Sequence, residues 1–159
     1  MPHPTPRILA CVDSSPEGLR LARASADLAR QLHARLVALW GLRRPSPSPA
    51  ETFARGSGPM HEVFAHEVAA SAELTARARR ECERATGSAG VAVEFRPVRD
   101  DAASPLPPAE AGDLFVVGDP RLPDQPEALS GERLLIGSGR PVLILPAGAS
   151  LDLDRPVLI

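Results

Sequence analysis

Apolar positions in this chain follow two different rhythms. Ile8-Leu9-Ala10-Cys11-Val12 and Leu114-Phe115-Val116-Val117 are apolar throughout, the pattern of short strands covered on both faces. They predict a first strand at 7–12 and a fourth at 113–117. Residues 35–42 and 141–145 read in the same way as the second and fifth. Residues 91–99 alternate more clearly and contain Pro97, which lacks a donor, so the third strand belongs at an edge or is exposed on one face. The helical rhythm appears twice. Leu21, Ala24, Leu28 and Leu32 share one side of a segment beginning near Ser14 and reaching His33, with Arg20, Arg23, Asp27 and Arg30 nearer the water; Ser14 and Ser15 offer N-caps, Pro16 takes a first-turn position, and Glu17 completes a capping box with Ser14. From Met60 to Thr86 an apolar residue recurs every three or four places, predicting one long amphipathic helix that Gly87 and Gly90 stop.

The punctuation between these elements sets the topology. Four prolines and Gly56-Ser57-Gly58 make 43–59 a flexible loop. A short, Pro-broken helix falls within 124–137. The order of elements predicts an α/β fold: a Rossmann-like, five-stranded, mostly parallel sheet with helices on both faces. One crossover is degenerate. Between the third and fourth strands only 100–112 is available, and Pro105, Pro107 and Pro108 limit it to a turn at 107–110, so part of one sheet face is expected to stay uncovered. The domain spans 7–146, after a disordered 1–6 and before a linker and extra strand at 147–159.

Composition narrows the functional classes. At 159 residues with 18 basic and 20 acidic side chains, the chain is one nearly neutral domain, which argues against nucleic-acid and membrane-surface partners. Every basic side chain is Arg, which reads as codon bias. Cys11 and Cys82 have no paired spacing, no signal peptide precedes the first strand, and no apolar stretch reaches membrane-spanning length; a reduced, cytoplasmic protein is expected.

Ile8 to Ser15, the Ala- and Leu-rich 22–32, Asp113 to Gly118 and Arg140 to Pro146, taken in order, resemble the universal stress protein family over almost the whole chain. That resemblance implies a five-stranded parallel sheet and a homodimer or tandem pseudo-dimer formed through the last strand. It also implies one of two classes, binding ATP or not. The ATP-binding class carries Gly-x-x-Gly, nine residues, then Gly followed by Ser or Thr, so that bare amides and a hydroxyl cradle phosphates. Counting from Gly118, the second position is Arg121 and the third is Gly131, followed by Glu132. A carboxylate there repels phosphate, Pro120, Pro123 and Pro126 stiffen the loop, and Trp40-Gly41 stands where an apolar side chain would line adenine. Asp13, Gly118, Arg121 and Gly131 therefore mark a degenerate nucleotide pocket. The expected cofactor is none, with ATP or AMP as the alternative.

Each candidate also has a plainer reading. Asp13 could contact a ribose or cap its own turn, and Gly118 could simply end its strand. Arg121 and Arg133 could fork onto an anion or stay solvated. His61 and His66 are five apart, roughly 140° around a helix, so they cannot share a metal. The Arg77, Arg79, Arg80 and Arg84 cluster is interleaved with Glu73, Glu81 and Glu83, as in a salt-bridged helix face rather than a nucleic-acid surface. No nucleophile with a base is visible, so no enzyme is expected. Finally, 155–159 repeats 140–144 as Arg-Pro-Val-Leu-Ile and resembles the opening strand of a second unit of the family. The expected protein is a non-catalytic, stress-response domain acting through dimerisation and partner contacts at 140–145 and 155–159. The alternative is an adenine-nucleotide-binding switch.

Overall fold

A computed structural model describes residues 5–42, 60–99, 113–119, 129–149 and 151. The expectations for the loop at 43–59, the connection at 100–112, the proline-rich loop with Arg121 and the tail at 155–159 lie outside the described residues. Five strands, β1 (Arg7–Val12), β2 (Arg35–Leu42), β3 (Val93–Arg99), β4 (Asp113–Val117) and β5 (Val142–Ile144), form one sheet in the order β3-β2-β1-β4-β5. Every pairing is parallel. The central strands are the uniformly apolar ones, because a strand with neighbours on both edges and cover on both faces has no side chain left for water.

Helices α1 (Pro16–Gln31) and α2 (Met60–Thr86) pack together on one face. Ile8, Ala10, Val12 and Trp40 point into that layer and meet Leu21, Leu28 and Cys82. The alternate residues Leu9, Cys11, Val37, Leu39, Phe115 and Val117 form a second core on the opposite face, closed by Leu129 and by Leu134 of α3 (Gly131–Gly137). On this face Val37 and Leu39 of β2 are 1% and 0% exposed, in one cluster with Leu129 and Leu134, whereas Glu94 of β3, the register partner of Val37, stays exposed. Among the described residues the face is thus closed over β2 and uncovered over β3.

The start of α1 also differs from the expected capping box. Asp13 Oδ1 accepts from the Ser15 backbone N–H at 2.9 Å and from Ser15 Oγ at 2.5 Å. That turn brings Ser15 rather than Ser14 to the N-cap, where its Oγ accepts from Gly18 N at 3.0 Å. Glu17 is thereby released to pair with Arg20. The helix ends at Gln31, two residues before the expected His33, which takes the left-handed conformation at φ 50°. α2 ends at Thr86 as expected, immediately before Gly87, which opens a short 3-10 turn that Gly90, at φ 66°, closes.

At the amino ends of β1 and β4, Arg7 grips the buried Asp113 with two bonds, Nε to Oδ1 at 2.9 Å and Nη2 to Oδ2 at 2.7 Å. This fork ties the β4–β5 half of the sheet to the rest. It leaves the carboxyl ends of the strands as the place where a site can form.

Candidate functional site

Parallel pairing of β1 with β4 puts the turn after β1, which holds Asp13, at the same end of the sheet as Gly118 and Asp119. Gly131 lies in the first turn of α3, behind Val117. Three of the four candidate residues are therefore brought to one end, and Arg121 lies outside the described residues.

Their surroundings decide what they can do. The Asp13 carboxylate is engaged in its own turn through Ser15. Gly18 packs so closely under that turn that an added Cβ would overlap Asp13 Oδ1 and stand 2.5 Å from its carbonyl oxygen and 2.8 Å from its nitrogen. A Cβ on Gly131 would meet Val117 Cγ2 at 3.1 Å. Both glycines are bare because protein atoms occupy the space. Trp40, at the position expected to line adenine, is fully buried in the α1–α2 core with its ring 5.9 Å from Phe95.

The charge at this end is mostly acidic. Asp13, Glu17, Asp119 and Glu132 approach it, and Asp119 acts electrostatically on Glu17. Arg20 is the residue that sequence reasoning placed near water and undervalued. Its guanidinium pairs with Glu17, donates from Nη1 to the Ala149 carbonyl at 2.6 Å and from Nη2 to the Pro146 carbonyl at 2.9 Å. The hydrogen bond from Arg20 holds the Glu17 carboxyl below its ordinary value, and the Arg20 guanidinium is correspondingly raised. The i,i+3 spacing of Glu17 and Arg20 was the available sequence signal; the reach to the segment after β5 was not. A second unforeseen tie joins the same turn to α2. The Glu81 carboxyl is lowered first by a hydrogen bond with Ser14 and then by Arg77, whose Nε lies 3.0 Å from Oε1.

Helix α3 has only seven residues with Glu132 in its first turn, and Ser130 Oγ already accepts from Arg133 N at 3.4 Å. Ser138, of the Gly-Ser-Gly segment after α3, likewise accepts from Arg140 N at 3.2 Å. Cys11 and Cys82 are buried and unpaired; burial pushes the Cys11 thiol far up and the Cys82 thiol to about 11, so neither is a ready nucleophile. Among the described residues, no group of three or more His, Cys, Asp or Glu could hold a metal ion. Nor is any helix among them long and apolar enough to cross a membrane.

The opposite feature, an exposed apolar surface, lies at β5. The bonds Phe115 N to Pro141 O and Leu145 N to Val117 O, both 3.0 Å or shorter, aim residues 141, 143 and 145 at β4. The ladder alternates, so the N–H and C=O of Val142 and Ile144 face away from β4, at the edge of the sheet formed by the described residues. Ile144 is 46% exposed, and on the neighbouring α3 Leu135 and Ile136 are 61% and 79% exposed.

No family model matches this sequence, and no curated protein matches it. Solved structures do resemble it. A protein of the universal stress protein family from Burkholderia pseudomallei is 23% identical with a TM-score of 0.50, covering 89% of this chain and 96% of its own. The universal stress protein from Archaeoglobus fulgidus in complex with dAMP is 12% identical, TM-score 0.46, over 88% of this chain and 96% of its own. A universal stress protein in complex with cAMP is 18% identical, TM-score 0.47, over 89% and 97%. The chain has the universal stress protein fold, an α/β domain on a five-stranded parallel sheet.

Proposed function

We propose that this chain is a non-catalytic, cytoplasmic universal stress protein-like domain that serves a stress response through dimerisation and partner contacts, without ATP. One observation supports the reading: the carboxyl end of the sheet is packed and acidic, whereas β5, at the edge of the sheet among the described residues, is uncharged and leaves Ile144 exposed. The domain invests its exposed apolar surface at an edge suited to protein rather than at a pocket suited to a nucleotide.

The edge also specifies how two copies would meet. With Val142 and Ile144 facing outward, a two-fold axis at Leu143 sets Val142 opposite Ile144 of the second copy and Ile144 opposite its Val142. Each hydrogen-bonded pair exchanges two bonds in an antiparallel ladder. Ile144 and the apolar side chains of α3 would then be covered together.

The reading is tested by melting the protein with magnesium and ATP. A ligand at 100 times its Kd adds about 2.7 kcal/mol, so a dose-dependent rise in Tm would establish the nucleotide switch instead. The expected result is no shift. Sedimentation over a concentration series should show a dimer, and a monomer at high concentration would remove the dimer from the proposal.

A further inference from the structure

We infer that the turn Pro146–Ala149, with Leu151, is a strap that runs from the end of β5 to α1, with Arg20 as its latch. Opening the latch would swing the strap out at Pro146 and uncover Leu145, while the rest of the domain stays folded. The inference rests on contacts within one chain and does not depend on whether β5 pairs two copies.

The sheet order fixes the course of the strap. α1 packs on β1 and β2, and β4 lies between β1 and β5, so a chain that leaves β5 and reaches α1 has to cross β4. Val116 of β4, Leu143 of β5 and Leu145 just beyond it turn to the α1 face, because alternate residues of a strand share a face. Ala149 and Leu151 join the same cluster, both partly buried. Leu145 is only 3% exposed although it follows the outermost of the five strands, whereas its neighbour Ile144, on the opposite face, is 46% exposed. A strap on the α1 face accounts for that difference.

The strap is a preformed piece with a hinge at one end. Leu145 is still part of the sheet, its N–H donating to the Val117 carbonyl at 2.9 Å. Pro146, next in the chain, has no N–H with which to continue the ladder. From there the backbone closes a turn of its own, Ala149 N to Pro146 O at 3.1 Å, with Gly148 at φ 75° in the third place, as a type II turn requires. Pro146, Ala147 and Gly148 are exposed. The Arg20 guanidinium holds both ends of that turn, from Nη1 to the Ala149 carbonyl at 2.6 Å and from Nη2 to the Pro146 carbonyl at 2.9 Å, while Glu17 grips it from α1. A planar fork suits two carbonyls at once. A segment with exposed backbone and few buried side chains opens locally before the fold does, so the latch decides how often this one opens.

Amide exchange and thiol labelling of the full chain test the strap. In Arg20→Met, which keeps the aliphatic stem and removes the fork, the Ala149 amide is expected to exchange at least about tenfold faster than in the parent chain, with the Leu145 amide unchanged. The thiol introduced by Leu145→Cys should be labelled at least about tenfold faster when Arg20→Met is added, while the buried Cys11 and Cys82 stay unreactive. Unchanged exchange at Ala149 would overturn Arg20 as the latch. Faster exchange at both Ala149 and Leu145 would mean that β5 has loosened, and would overturn a strap that moves by itself. Release at Ala149 without faster labelling of Leu145→Cys would overturn the strap as a cover, and labelling of Cys82 at the rate of the introduced thiol would replace it with opening of the whole domain.

Discussion

The two edges of this sheet are built to opposite specifications. At β3, Glu94 and Arg96 pair across 2.6 Å, Pro97 removes a donor, and Arg79 of α2 lies 5.0 Å over the Phe95 ring. At β5, Val142, Leu143 and Ile144 carry no charge, Ile144 is half open, and α3 adds Leu135 and Ile136. Charges and proline are among the usual means of keeping an edge from pairing, and an apolar edge strand without them offers its outward N–H and C=O groups as a template. Two edges of one parallel sheet thus differ in how readily each would pair with another strand.

The largest way to disturb this contrast is to loosen the half of the sheet that carries β5. Asp113 is buried and gripped by Arg7 at the seam between β1 and β4. Removing one partner of a buried pair leaves an uncompensated charge, so Asp113→Ala should cost about 3 kcal/mol in urea denaturation. A loss below about 1 kcal/mol would show that strand pairing alone holds the seam.

Ile144→Lys attacks the edge without touching the fold. Placed near a two-fold axis, the two lysines would face each other's strands, and like charges at an interface cost several kcal/mol. Self-association should weaken roughly 100-fold while stability moves by less than about 0.5 kcal/mol. The matching change Glu94→Lys on β3 should leave association unaltered. Sedimentation of both variants decides it; an effect from β3 equal to that from β5 would erase the distinction between the edges.

Much of this contrast was legible in the residues. The uniform apolar runs at 7–12 and 113–117 announced central strands, Pro97 announced an edge, and the 3.6-residue rhythm from Met60 to Thr86 set the bounds of α2. What could not be read was long-range use of polar groups. Arg20 looked like a solvent residue because its acceptors are carbonyls 126 and 129 positions away. Ser14 looked as good a cap as Ser15 because the Asp13 turn that selects Ser15 depends on local geometry. The closure of the second face was hidden for a similar reason, since Leu129 and Leu134 reach Val37 and Leu39 only through the fold. At the candidate site, the acidic Glu132 and the spacing were visible in sequence, but not that protein atoms fill the space beside Gly18 and Gly131.

The smallest predicted effect concerns how firmly the segment after β5 is held, and it depends on pH. Glu17 orients Arg20, and Arg20 holds the Pro146 and Ala149 carbonyls. The folded-state pKa of Glu17 is lowered, first by its hydrogen bond with Arg20, from an ordinary value of 4.5. A depressed carboxylate contributes stability that is present above 4.5 and is lost as pH falls through the folded value. With both side chains about a quarter exposed, solvent screening limits the contribution to under about 1 kcal/mol. Glu17→Gln should therefore be slightly less stable than the parent chain at pH 7, and the gap should close as the pH is taken well below 4.5. No titratable side chain lies within β5 itself, so the two chains should self-associate equally at pH 7. Urea midpoints at pH 7 and pH 3 measure the gap. A difference that persisted at pH 3 would mean that Glu17 acts through packing, and no difference at pH 7 would mean that Arg20 holds the segment without it.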